Sequence, residues 1–113
     1  MKKILLILLL SLPFIVNGQD FPDGLHVVEF NASFNKSNEV TWLSSLTDCK
    51  IERVDIAADS RWASEYKIVV VPTLVVFNNN EEARRFQANI MMTMEATRKE
   101  VQESIDEIIM EAF

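Results

Sequence analysis

The chain has 113 residues, 11 basic and 17 acidic, with one cysteine and one histidine. That length allows one small domain. The acidic balance argues against nucleic acid or an anionic membrane as partner, and a single cysteine excludes an internal disulfide and a cysteine-based metal cage.

Lys2 and Lys3 precede an apolar run from Ile4 to Val16, then Asn17-Gly18-Gln19. A basic start, a short apolar stretch and small residues at Val16 and Gly18 form the pattern of a signal peptide over 1–18. The run is shorter than the ~20 residues a membrane span needs. The expectation is an exported protein, periplasmic or secreted, with a domain over 19–113 and no stable membrane insertion after cleavage. Without Lys2 and Lys3 nine basic residues face 17 acidic ones, a net charge of −8.

Leu25 to Ala32 reads as a strand, with Val27, Val28 and Phe30 apolar and His26 on it. His26 alone is neither half of a catalytic pair nor a metal site. A helix is expected from about Lys36 to Leu46, from the Val40, Leu43 and Leu46 stripe, with Asn35 as its N-cap and Glu39 in its first turn. Cys49 is a small, apolar, buried residue opening the next strand, and Ile51 to Ala57 alternates as that strand. Asp59 caps a short helix with Trp62, Ala63 and Tyr66 on one face. Val69-Val70-Val71-Pro72 leads into an apolar strand, Thr73 to Phe77, buried on both faces and therefore central. Asn78-Asn79-Asn80 is a turn, Glu82 to Ala88 the returning hairpin strand, and Thr93 to Ala112 a helix. In that helix Met94, Val101, Ile105, Ile108, Ile109 and Ala112 line one side, and Glu95 pairs with Lys99. The order β-α-β-α-β-β-α makes an α/β domain in which helices flank a mixed sheet, with a parallel β1–β2 pair and an antiparallel hairpin.

Two stretches carry a family likeness. "EYKIVVVPTLVVFNNNEE" (Glu65 to Glu82) resembles the thioredoxin pattern of Tyr-Gly-Ile, Pro-Thr-Leu, an apolar strand and Asn-Gly. "VVEFNASF" (Val27 to Phe34) is similar to the strand that leads into the thioredoxin redox site. The chain thus resembles the thioredoxin family over nearly all of 19–113, and the resemblance implies the thioredoxin fold. It places the two cysteines of Cys-x-x-Cys at Asn35 and Asn38, with Lys36 and Ser37 between them. An asparagine amide has no thiolate, so disulfide exchange has no reagent here. Glu29 matches the buried carboxylate beneath the cysteines; read on its own, it pairs with a cation such as Lys36 or faces solvent at a strand edge. Pro72 matches the cis-proline beside the redox site. Val71 before it would pair its backbone with an extended peptide, and Thr73 follows. Lys67 and Val70 depart from the family where glycine is frequent.

Three functions follow. The first is a redox-inactive domain that binds a peptide or protein partner in a groove of Phe34, Val71, Pro72, Thr73, Ile90 and Met91. The second is thiol chemistry through Cys49 alone. The third is Cu(I) held by Met92 and Met94, weighed against those methionines packing a corner. No cofactor and no resident metal are expected.

Overall fold

The computed structural model describes residues 20–113. The expected signal peptide and its boundary at Gln19 lie outside the described residues. Among the described residues no helix is long and apolar enough to cross a membrane.

Four strands form one sheet: β1 (Leu25–Asn31), β2 (Lys50–Asp55), β3 (Thr73–Asn78) and β4 (Glu81–Gln87), in the order β2-β1-β3-β4. β1 runs parallel to β2 and antiparallel to β3, and β3–β4 is a hairpin. The two-residue period of a strand divides the apolar side chains between the faces. Val27, Leu74 and Val76 join Val40, Leu43, Leu46, Val101, Ile105 and Ile108 in one core. Val28, Phe30, Val75 and Phe77 join Phe21, Ile68 and Val71 in the other. Helix α1 (Arg61–Tyr66) covers the second face with Trp62, Ala63 and Tyr66. Helix α2 (Arg98–Glu111) covers the first, burying Val101, Ile105 and Ile108.

The β1–β2 crossover differs from expectation. In place of an α-helix over 36–46 there are two 3-10 helices, Ser33–Asn38 and Leu43–Ser45, separated by extended backbone at Glu39 (φ −63°, ψ 151°). Asn, Ser and Thr crowd this segment, and their side chains compete with helical backbone bonding; the Ser45 hydroxyl, for one, donates to the Trp42 carbonyl at 2.7 Å. Only Leu43 of the Val40, Leu43 and Leu46 stripe lies in a 3-10 helix, yet all three are still buried.

Helix α2 begins five residues later than expected, because Thr97 and Glu100 close a capping box: the Glu100 N–H donates to the Thr97 hydroxyl (3.2 Å) and the Thr97 N–H to the Glu100 carboxylate (2.9 Å). Glu95 therefore precedes the helix and accepts from the Asn89 amide at 3.1 Å; it does not pair with Lys99. Ala112 caps the end of the helix and is exposed.

The hairpin turn places Asn79 and Asn80 at φ 52° and 71°, backbone that asparagine tolerates. Their side chains also hold the start of the domain: Gly24 N–H donates to Asn79 Oδ1 (2.7 Å) and Phe21 N–H to Asn80 Oδ1 (3.0 Å). Phe21 stacks on Phe77 at 4.7 Å inside the second core. His26 adds a further tie, with Nδ1 2.6 Å from the Glu52 carboxylate and Nε2 donating to the Pro22 carbonyl at 2.8 Å.

Candidate functional site

β1 delivers the chain into the turn that holds Phe34 to Asn38. Asn35 does not cap a helix. The residue preceding the first 3-10 helix is Ala32, and Asn35 lies inside it with kinked backbone (φ −112°, ψ 21°). Its side chain is 3% exposed. The amide nitrogen donates to the Met92 carbonyl (3.1 Å), Asn31 Oδ1 (3.2 Å) and, at longer range, the Val71 carbonyl (3.4 Å). Its oxygen accepts from the Asn38 amide at 2.8 Å. One buried amide thus ties together the end of β1, the loop before β3 and the loop before α2. Lys36 and Ser37 point outward, Lys36 to an exposed pair with Glu39 at 3.5 Å.

Glu29 is 1% exposed on an interior strand. Its cation is Arg53, not Lys36, because the parallel register sets Glu29 beside Arg53. The Val40 N–H donates to the same carboxylate at 2.8 Å, and Arg53 also donates to the Val40 carbonyl at 2.9 Å. Burial pushes the Glu29 carboxyl above its ordinary 4.5, against the pull of the Val40 N–H and Arg53. Glu29 and Arg53 line a pocket of about 210 Å³ that also takes in Asn31, Lys36, Glu39 and Asp55.

On the other side of the turn lies an apolar groove of about 290 Å³, lined by Phe34, Ile56, Val69, Val71, Ile90 and Met92 among others. Phe34 is 73% exposed, Val69 76%, Met91 75% and Ile90 97%. Pro72 and Thr73 do not line it: both are fully buried beneath it, and the Thr73 hydroxyl donates to the Val70 carbonyl at 2.8 Å. The Val71–Pro72 peptide bond is cis. The Pro72 carbonyl accepts from the Ala88 N–H at 3.1 Å, so three successive carbonyls, Val70 to Pro72, already have internal donors.

Ile90 and Met91 sit at the tip of a loop closed by Asn89. Its side-chain oxygen accepts from the Met91 N–H (2.9 Å), the Thr93 N–H (3.2 Å) and the Thr93 hydroxyl (3.0 Å), and its N–H donates to the Thr93 carbonyl (3.0 Å). Sequence reading missed Asn89, Val69 and Arg53. An Asn ahead of a polar-flanked apolar pair signals such a turn, whereas Arg53 becomes visible only with the strand register.

Cys49 is half-buried, just before β2, and packs against the first core. The register sets it level with Leu25, the far end of β1 from the turn. Six strand steps put it roughly 20 Å from the Asn31 end of β1, where the turn begins. Burial and the neighbouring Asp48 raise its thiol above the usual 9.0, so thiolate is scarce at neutral pH. Met94 packs against the first core while Met92 lines the groove, so the two methionines serve different surroundings. Among the described residues no three His, Cys, Asp or Glu side chains cluster as metal ligands.

Neither a protein-family model nor a curated protein matches the chain. Solved structures do match. A Schistosoma mansoni thioredoxin is similar at 22% identity and TM-score 0.60, covering 79% of this chain and 81% of that one. The thioredoxin NaTrxh of Nicotiana alata is similar at 22% and 0.57, covering 86% and 82%. Thioredoxin-2 of the malaria parasite is similar at 15% and 0.64, covering 81% and 90%. The chain has the thioredoxin fold, in the α/β class, with a mixed four-stranded sheet and a single cysteine.

Proposed function

We propose that this thioredoxin-fold chain is an exported, redox-inactive domain that binds a peptide or protein partner at the apolar groove beside the Asn35 turn. One observation carries the reading. At the two positions where the resemblance puts cysteines, Asn35 and Asn38 are hydrogen-bonded to each other at 2.8 Å. The turn has become a structural lock with no nucleophile, while exposed apolar side chains remain around it. Cys49 does not restore the chemistry: it is remote from the turn and its thiol is held protonated. Export rests on the basic and apolar pattern of 1–18.

Partner recognition falls on side chains. Phe34, Val69 and Ile90 offer area that leaves water on contact, whereas the Val71 carbonyl already has a donor in Asn35. The test is insulin reduction with dithiothreitol as electron source. Residues 19–113 are expected to match the uncatalysed background, with or without Cys49→Ser. Turnover that survives Cys49→Ser refutes the redox-inactive reading. Turnover that Cys49→Ser abolishes transfers the function to the lone thiol.

A further inference from the structure

The apolar face has a shape that narrows its occupant. A knob, the exposed Ile90–Met91 tip, rises from the edge of a groove that Ile90 itself lines together with Phe34, Val69, Val71 and Met92. The knob is held by the Asn89 hydrogen bonds and the groove by the Asn35 amide, so both are set before contact. A knob next to a groove on one face is self-complementary under a two-fold axis, since each copy gives its knob to the other's groove. We infer that this face joins two copies of the chain into a symmetric dimer, an inference that rests on reading the face as a binding surface.

Area and charge support that occupant. Four large side chains at 73–97% exposure present on the order of 600 Å² per protomer, close to the ~800 Å² per partner of a standard interface once a rim is added. No charged residue lines the groove, although residues 19–113, without Lys2 and Lys3, carry nine basic and 17 acidic side chains, a net charge of −8. Two acidic copies repel across most orientations, and an uncharged face lets them meet without opposing carboxylates.

Sedimentation velocity of residues 19–113, followed from 1 to 200 µM, tests this. The expected result is a dimer with Kd on the order of 10 µM, tightening severalfold from 0.15 to 1 M NaCl as salt screens the mutual repulsion. The variant Ile90→Glu with Met91→Glu alters only exposed side chains, so it should keep the wild-type melting curve and remain monomeric throughout the range. A wild type that stays monomeric overturns the inference, and so does a dimer that persists unchanged in the variant. Selection of peptides from a displayed random library separates the inference from the reading beneath it. A monomeric wild type whose selected peptides lose at least tenfold in affinity on the Ile90→Glu variant leaves the binding surface standing and removes only the dimer. A monomer that selects no peptide removes both.

Discussion

Replacing Asn35 tests the lock on which the site depends. Asn35→Ala removes the donors to Met92, Asn31 and Val71 and the acceptor for Asn38. A net hydrogen bond contributes about 0.5–1.5 kcal/mol, and a stranded buried partner costs more. Asn31, Asn38 and Met92 are partly exposed and water can replace their lost bond, while Val71 is 6% exposed and its carbonyl is stranded. The Val71 contact, at 3.4 Å, is also the weakest. The loss should therefore be about 2–3 kcal/mol, well below four full bonds. For a domain of this size that lowers Tm by roughly 10–20 °C. Asn35→Asp is the more diagnostic change. It keeps the shape, but an ionised carboxylate cannot donate to the Met92 and Val71 carbonyls and is itself desolvated. Burial raises the pKa of such an acid, so its stability is present at low pH and lost as pH rises through the folded-state value. Urea melts should show Asn35→Asp weaker than Asn35→Ala at pH 7 and recovering part of the gap at pH 4.5. If Asn35→Asp costs less than about 0.5 kcal/mol at pH 7, the amide holds nothing together and the reasoning fails.

Three further outcomes are expected. The double change Asn35→Cys with Asn38→Cys should oxidise to an intramolecular disulfide, because the two side chains already meet at 2.8 Å; two thiols that stay free under glutathione oxidation in the folded protein would show that the introduced sulfurs do not converge. Asp20 is pushed up by burial, but the Tyr66 hydroxyl at 2.5 Å and Arg61 more than offset this and hold its carboxyl below the usual 3.8. Its contribution is thus present above pH 4 and lost as pH falls through the folded-state value, and Asp20→Asn should lower the neutral plateau of a stability–pH curve and leave a shallower acid limb. Lys67 ends α1 in left-handed backbone (φ 55°), so Lys67→Gly should raise stability by about 1 kcal/mol in chemical denaturation, and a loss would point to a role for the lysine side chain.

Much of the sheet was legible because its strands carry their own signals. Thr73 to Phe77 is an unbroken apolar run after a proline, and Val27, Val28 and Phe30 divide between two faces as the period demands. The hairpin followed from three asparagines. The crossover was not legible as drawn: Val40, Leu43 and Leu46 mark burial correctly, but apolar spacing alone does not separate a helix from irregular backbone that buries the same residues. The Thr97–Glu100 box was a readable signal, and it outweighs the apolar periodicity that placed the helix start at Thr93. Asn35 was legible as a polar residue at a helix start, whereas its role as a buried donor depends on carbonyls 36 and 57 positions away. The groove was half visible. Phe34 and Ile90 stood out, Val69 was hidden in a run that resembles strand, and Pro72 and Thr73 lie under the surface they were expected to line.

The division of the interior by a single sheet also gives this chain a two-sided optical probe. Its two tryptophans fall one to each half: Trp42 packs against the first core, and Trp62 lies in the second, stacked on Tyr66 at 5.9 Å with the Arg61 guanidinium 4.1 Å above its ring. Neither indole is fully buried, so each can be exchanged for phenylalanine without emptying a core. The remaining fluorophore then reports on the packing of one side alone. Matching emission transitions from the two single-tryptophan proteins mean that the sheet melts as one cooperative unit. A split between them would locate the weaker half directly, and with it the side from which the loops around the groove first come loose.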